Sequence, residues 1–238
     1  MLNIAMIIAG GIGARMNQDI PKQFINVYDK PVIVYTMEAF QRHPEIDAIE
    51  IVCVDGWHEV LRAYARQFGI AKLENIVSGG PNGQDSIRNG LHDIVLRHHE
   101  EDDIVLIHDA IRPMVNQEII TDNIRVCRKY GNAITVVPCT AAMLKTYDAL
   151  STTEQVARDN LKITQTPQAF FLNDIVEAHK EALNRGITNS VASCTMYIEL
   201  GRKLYMSAGS EKNLKLTTTE DIEIFKALLQ ARRDEWLH

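Results

Sequence analysis

The sequence predicts an α/β fold in which a mostly parallel, twisted sheet is covered by helices on both faces. Short runs of β-branched residues alternate with longer stretches whose apolar residues recur at helical spacing. The strand-like runs are apolar almost throughout, which is typical of strands that are buried on both faces. With 238 residues, 46% of them hydrophobic, the chain can bury a sizeable core, and we expect a single domain over residues 1–238.

The predicted elements follow one another in a regular order. Strands are predicted at 3–9, 48–54, 75–78, 103–109, 133–138 and 202–206, and helices near 32–43, 57–68, 84–98, 116–130, 172–185 and 219–235. The second helix shows the pattern, since Leu61, Tyr64 and Phe68 recur at helical spacing and a glycine follows as a stop signal. The last helix carries Glu220 and Asp221 in its first turn, where the helix dipole favours negative charge.

Residues 139–168 break this alternation. The segment has weak periodicity, few large apolar residues and many threonines. We expect an excursion from the core in the form of a hairpin arm, and not a separate domain.

Composition and charge argue against some classes of partner. A net charge of −6 argues against nucleic acid held by bulk electrostatics, although a local basic pocket can still bind a small anion. No apolar run approaches the ~20 residues of a membrane span, and the N-terminus lacks the basic region of a secretory signal. The four cysteines are far apart and show no CxxC pairing, so we expect buried thiols in a reduced, cytoplasmic protein.

A glycine-rich loop follows the first strand, where open α/β sheets bind their ligands. Gly10, Gly11 and Gly13 let backbone N–H groups approach a triphosphate closely, because no Cβ intervenes. Arg15 and Lys22 add two cationic donors, which nucleotidyl transfer needs to neutralise the charge that grows on the leaving pyrophosphate. The loop therefore indicates nucleotidyl transfer, and the alternative is a structural turn with two surface cations.

Two better-known glycine loops do not match. The dinucleotide pattern G-x-G-x-x-G lacks its third glycine, which is replaced by Met16, and no acidic residue ends a second strand about 20 positions on. The phosphate-loop string G-x-x-x-x-G-K-[ST] is absent from the sequence. A nicotinamide-dependent oxidoreductase is therefore disfavoured.

Five motifs, in order, resemble those of the cytidylyltransferases that act on sugar-alcohol phosphates. They are AGGIGARM…PKQF (9–24), SGGPNGQDSIRNGL (78–91), IHDAIRP (107–113), TQTPQAF (164–170) and NLKLTTTEDI (213–222). The resemblance covers residues 3–229, and the two best-known branches of the family make the CDP derivatives of 2-C-methyl-D-erythritol 4-phosphate and ribitol 5-phosphate. It implies a three-layer Rossmann-like nucleotidyltransferase fold with a protruding β-arm.

The resemblance also implies which residues bind the nucleotide. The residues expected to bind CTP are Ala9, Gly10, Gly11, Gly13, Gly79, Gly80 and Ser86. The first four would wrap the phosphates, and the other three would form a turn that reads cytosine through backbone groups and leaves no room for purines. Arg15 and Lys22 would stabilise the pentavalent transition state and the leaving pyrophosphate.

On the acceptor side, the resemblance implies that Asp109 holds Mg²⁺ between the triphosphate and the acceptor, or positions the acceptor. Lys215 would contact the phosphates from the last strand. Arg112 is left open between a phosphate and Asp109 as its partner, and His108 is assigned a structural role. In this family the arm embraces a second subunit, so Arg158 would grip the acceptor phosphate in the neighbour's site and the protein would be a homodimer.

Three stretches depart from the family pattern. Gly83 stands where the family usually has an arginine, and Ala141–Ala142 stands where an Asp-Thr pair follows "VP". The segment TNSVASCTMYI has no acidic residue where a Thr-Asp pair is usual. The triphosphate half of the site is thus nearly intact while the acceptor half has changed, which favours an acceptor other than methylerythritol phosphate.

Two further stretches, DGWHEVL and EEDDIVLIHD, resemble the ribitol branch. We therefore expect a Mg²⁺-dependent cytidylyltransferase that uses CTP and ribitol 5-phosphate. Methylerythritol phosphate, another polyol or sugar phosphate, and a catalytically inert CTP-binding module stay open as alternatives.

Overall fold

The computed structural model of the protein describes residues 1–11, 20–98, 100 and 102–235. Within these residues the central sheet has seven strands, which are numbered here along the chain. In spatial order they are β11 (Met206–Ala208), β7 (Asn132–Pro138), β10 (Lys162–Phe171), β6 (Ile104–Asp109), β1 (Asn3–Ala9), β4 (Ala48–Cys53) and β5 (Leu73–Ser78).

The sheet is mostly parallel, which confirms the predicted fold class. β1 pairs in parallel with both β4 and β6, β4 pairs in parallel with β5, and β11 pairs in parallel with β7. β10 lies between β6 and β7 and runs antiparallel to both. As a result, the amino-terminal half of β10 lies at the sheet edge where β6 and β7 end.

Helices pack on both faces of the sheet. They are α1 (Val32–Arg42), α2 (His58–Gln67), α3 (Gly83–Arg97), α4 (Gln117–Tyr130), α5 (Leu172–Asn184) and α6 (Ser193–Glu199). The last helix, α7 (Thr219–Glu235), packs instead in a third cluster, where Phe225 contacts residues outside the central sheet. Successive side chains of β1 alternate between the two faces: Ile7 packs in a buried cluster with residues of α1, α2 and α4, and Met6 in one with α3, α5 and α6. This two-sided burial explains why the strand is apolar throughout.

Two smaller two-stranded sheets lie outside the central one. β2 (Asn26–Val27) pairs with β3 (Lys30–Pro31), and β8 (Met143–Lys145) pairs with β9 (Glu154–Val156) in an exposed hairpin within the predicted arm segment. A short 3₁₀ turn, Arg158–Asn160, leads from the hairpin back towards β10. None of the helices in the described part of the chain combines the length and apolar composition that a membrane crossing requires.

The sequence-based elements differ from the structure most at two strands, and α6 (Ser193–Glu199) lies where the sequence predicts no helix. Residues 162–168, included in the predicted arm, pair with β7 of the central sheet, because β10 gains its burial from its neighbours β6 and β7 and not from an apolar run of its own. The strand predicted at 202–206 begins only at Met206. The N–H of Arg202 instead closes the end of α6 by donating to the Tyr197 carbonyl.

Candidate active site

Two adjoining cavities lie at the carboxyl ends of β1 and β6. The nucleotide cavity, about 450 Å³, is lined by the end of β1, the segment around Lys22 and the start of α3. The acceptor cavity, about 300 Å³, is lined by β10, α5 and the acceptor loop, residues 187–193. Asp109 and Lys215 line both cavities. A larger groove of about 820 Å³ lies against α1 and shares no lining residue with either cavity.

Close backbone packing explains the glycines of the nucleotide cavity. A Cβ on Gly10 would lie 3.3 Å from Ser86 Oγ and 3.5 Å from Gly79 Cα, so the two predicted glycine turns touch each other. A Cβ on Gly80 would lie only 2.5 Å from the Cβ of Asp85. Side chains at these positions would push the loop after β1 away from α3.

Ser86 shapes the turn before α3 from within. Its Oγ accepts a hydrogen bond from the Gly80 N–H at 3.0 Å and donates to the Asn82 carbonyl at 2.8 Å. Asn82 caps α3 by accepting from the Asp85 N–H at 2.9 Å. Gly80, Gly83 and Ser86 line the nucleotide cavity, whereas Gly79 is not one of its lining residues.

Gln23 was not singled out from the sequence, yet it fixes the loop that follows β1. Its buried side chain donates to the Ala9 carbonyl at 2.7 Å and to the Gly11 carbonyl at 3.0 Å. Lys22, the neighbouring residue, lines the nucleotide cavity. Gly13 and Arg15, the other predicted residues of this loop, lie outside the described residues.

Asp109 lies between two cations at the junction of the cavities. Arg112 Nε is 3.0 Å from Asp109 Oδ2, and Lys215 Nζ is 3.2 Å from each carboxylate oxygen. Burial alone would raise the pKa of Asp109, but Lys215 and Arg112 hold it below its ordinary value. Of the two partners left open for Arg112, the structure shows Asp109. The two cations around one carboxylate leave a positive balance that suits phosphate groups.

His108 is buried beside this cluster, lines the acceptor cavity and hydrogen-bonds to Arg112 and Thr166. Its Nε2 lies 3.2 Å from the Arg112 carbonyl, which can only accept, so Nε2 carries the proton. In a neutral ring Nδ1 then accepts from Thr166 Oγ1 at 3.1 Å, and that hydroxyl accepts the Asp109 N–H at 3.0 Å. Burial lowers the pKa of His108 to about 4, which keeps the ring neutral. Thr166 therefore joins β10 to the end of β6.

Apolar atoms make up most of the lining of the acceptor cavity, which away from Asp109 also includes several uncharged polar residues. These residues are Gln84, Thr164, Gln165, Gln168, Ser190 and Ser193. The acceptor loop holds no carboxylate, as its sequence indicates. Ala141 and Ala142 are exposed in the arm and are not among the residues that line this cavity.

Arg158 lies apart from both cavities. It is exposed in the 3₁₀ turn of the arm, where Nη1 donates to the Thr140 carbonyl at 3.0 Å. The described chain thus brings together Lys22, Asp109 and Lys215, whereas Arg158 is not a lining residue of the same chain's cavities.

Asp109 offers a single carboxylate to a metal ion. Among the described residues, no three His, Cys, Asp or Glu side chains cluster so that they could hold a metal. Mg²⁺ is usually bound through one or two carboxylates together with waters and substrate phosphates. This donor set fits a magnesium ion that takes most of its ligands from a bound triphosphate and water.

Comparison with known proteins identifies the family. The family model for 2-C-methyl-D-erythritol 4-phosphate cytidylyltransferase (IspD) matches residues 3–231. The chain is 42% identical over 230 residues to the ribitol-5-phosphate cytidylyltransferase of Lacticaseibacillus paracasei, covering 96% of this chain and 98% of that protein. It is 35% identical over 230 residues to the 2-C-methyl-D-erythritol 4-phosphate cytidylyltransferase of Clostridium botulinum strain Loch Maree, covering 96% and 97%.

A solved structure shows the same fold. The chain superimposes on the 4-diphosphocytidyl-2C-methyl-D-erythritol synthase of Anaerococcus prevotii with a TM-score of 0.81 at 24% identity, over 96% of this chain and 98% of that one. The family model covers nearly the whole chain, and its match agrees with the resemblance carried by the five motifs. The chain therefore belongs to the IspD family of cytidylyltransferases, which are nucleotidyltransferases.

Proposed function

We propose that this protein transfers CMP from CTP to D-ribitol 5-phosphate and forms the CDP-polyol and pyrophosphate. The observation that carries the proposal is the pair of adjoining cavities that share Asp109 and Lys215. In the proposed reaction the phosphate of the acceptor must approach the α-phosphorus of CTP, although both substrates are anions. The junction of the cavities provides a carboxylate and cations that could hold the two substrates together.

The proposed reaction is a direct in-line displacement. A phosphate oxygen of the acceptor attacks the α-phosphorus of CTP, and the bond from that phosphorus to the oxygen bridging the β-phosphorus breaks as pyrophosphate leaves. Lys22 and backbone N–H groups of Gly10 and Gly11 would hold the triphosphate, and Lys22, together with Arg15, would neutralise the leaving charge. No covalent enzyme intermediate is required.

The cluster around Asp109 would bring the acceptor phosphate to the α-phosphorus. Lys215 reaches both carboxylate oxygens and lines both cavities, so it can contact phosphates on either side of the junction. The Thr166–His108 hydrogen bonds hold the Asp109 backbone in place for this role. Asp109 would also be the protein ligand of Mg²⁺, which would screen phosphate charge when bound.

Two observations support ribitol 5-phosphate over methylerythritol phosphate as the acceptor. The relative named for ribitol 5-phosphate is 42% identical to this chain, against 35% for the one named for the methylerythritol substrate. The acceptor cavity includes Ser193, whose buried hydroxyl has no hydrogen-bond partner among the described residues and can bind a hydroxyl group of a polyol.

The test is pyrophosphate release from CTP with Mg²⁺ and either ribitol 5-phosphate or 2-C-methyl-D-erythritol 4-phosphate. We expect a higher kcat/KM with ribitol 5-phosphate. A higher kcat/KM with the methylerythritol substrate would contradict the choice of acceptor. CTP binding without turnover, across a broad panel of polyol phosphates, would contradict the enzymatic proposal and favour an inert CTP-binding module.

We further propose a homodimer formed through the arm, in a reducing, cytoplasmic setting. The hairpin exposes Leu144, Tyr147 and Leu150, which are 66%, 78% and 93% accessible and are suited to packing on a second copy. All four cysteines are in the described part of the chain, where they are buried and unpaired. Sedimentation of a Leu150→Asp variant tests the dimer. An unchanged dimer would contradict an interface through the hairpin tip.

A further inference from the structure

The acceptor loop is attached to the first turn of α3 by the side chain of Gln84. Gln84 is 4% exposed, its Oε1 accepts from the Ser190 N–H at 2.8 Å, and its Nε2 donates to the Ile187 carbonyl at 2.7 Å. Asn82, the cap of the same helix, donates to the Thr188 carbonyl at 3.3 Å. One end of α3 therefore holds the loop at three of its residues, Ile187, Thr188 and Ser190.

This end of α3 also separates the two cavities. Asn82 and Gly83 line the nucleotide cavity, while Gly83 and Gln84 line the acceptor cavity. The acceptor loop adds Ser190 and Ser193 to the acceptor cavity. The buried hydroxyl of Ser193 has no hydrogen-bond partner among the described residues, so a hydroxyl-rich ligand could satisfy it.

We propose that Gln84 is a positioning residue for the acceptor, an inference that rests on the proposed function. Gln84 holds the acceptor loop in the position where it forms a wall of the acceptor cavity. Gln84 does not line the nucleotide cavity, whereas Asn82 and Gly83 do. Because the loop lacks an acidic side chain, its contacts with a polyol come from hydroxyl and backbone groups. Their positions depend on the Gln84 anchor. Without Gln84, the Ser190 N–H and the Ile187 carbonyl lose their partner, and the loop moves to satisfy them elsewhere.

A matched set of variants separates this role from general stability. Gln84→Met keeps the length of the side chain and removes both hydrogen bonds, so KM for ribitol 5-phosphate should rise about tenfold while KM for CTP changes less than about twofold. Gln84→Glu keeps an oxygen for the Ser190 N–H and loses the donor to Ile187, so it should give an intermediate KM. Leu96→Ala shortens an exposed side chain of the same helix that lines neither cavity, and should leave both KM values unchanged.

Amide hydrogen exchange provides a second measurement that can be made without the acceptor substrate. In Gln84→Met, the Ser190 amide should exchange about tenfold faster, since its acceptor is gone, while amides in the middle of α3 keep their protection. A Ser190 amide that stays protected, or a KM for CTP that rises as much as the acceptor KM, would overturn the role of Gln84. Wild-type protein that turns over no polyol phosphate would instead overturn the proposed function itself.

Discussion

Gly80→Ala tests whether the close contact between the glycine turn and α3 builds the nucleotide cavity. The added Cβ would lie 2.5 Å from Asp85 Cβ and 2.9 Å from its carbonyl carbon, about 1 Å short of an ordinary carbon–carbon contact. Backbone and Cβ atoms cannot turn away as a flexible side chain can, so the turn itself must shift. Overpacking of this kind costs roughly 1–3 kcal/mol of folding stability.

The shift should also weaken CTP binding, because the Gly80 N–H is held by Ser86 and the turn lines the nucleotide cavity. We expect the Kd for CTP, measured by calorimetry, to rise about tenfold or more, equivalent to at least ~1.4 kcal/mol. The control is Leu96→Ala, at an exposed position of α3 that lines neither cavity, which should leave the Kd for CTP unchanged. Equal CTP affinities in wild type and Gly80→Ala would refute the reasoning.

The remaining predictions concern the junction of the two cavities, the metal ion and the buried side chain of His179 in α5. Lys215→Met should lower kcat, measured as pyrophosphate release, by roughly a hundredfold or more. Lys212→Met, which changes an exposed lysine nearby, is the control. A similar loss of kcat in that control would contradict a specific role for Lys215. Thr166→Val should lower kcat about tenfold because it removes the hydroxyl that holds Asp109, while Thr166→Ser retains activity; equal losses would exclude that role. EDTA should stop turnover and added Mg²⁺ should restore it, so turnover that persists in EDTA would contradict the proposed metal. Burial lowers the pKa of His179 from 6.5 to about 4, so the unfolded chain binds more protons between these pH values and stability falls on acidification. Urea titrations of wild type and His179→Gln should differ in the slope of stability against pH by up to ~1.4 kcal/mol per pH unit, while the similar contribution of His108 stays in both proteins; identical slopes would contradict this origin.

Local sequence patterns were sufficient to predict the elements whose own apolar residues form a buried face. β1 and α3 carry apolar spacing that any packed sheet or helix requires, and both occur where the sequence predicts them. β10 has no such pattern, because Lys162–Phe171 begins with polar residues and contains a proline. It is a strand because it pairs with β6 on one side and with β7 on the other. A short stretch of sequence cannot reveal these long-range partners.

The residues of the candidate site also fall into those that the sequence predicts and those that only the fold reveals. Asp109 and Lys215 were predicted as site residues because Asp109 ends an apolar strand and both lie in motifs that carry the family resemblance. Gln23 and Gln84 were not, since a glutamine has no visible role until its carbonyl partners are known. Gln23 binds Ala9 from 14 positions away, but Gln84 binds Ile187 from 103 positions away. Only the folded chain brings the latter pair together.

Because β10 continues from the arm into the middle of the sheet, one stretch of backbone connects the hairpin with Thr164 and Thr166 at the acceptor cavity. A force applied to the hairpin would be carried along this strand to the acceptor wall. Through the hydrogen bond from the Asp109 N–H to Thr166, it would also reach the junction of the two cavities. A second subunit bound at the hairpin, as proposed, would thus act on the acceptor wall and on Asp109 before it acted on the glycine turns.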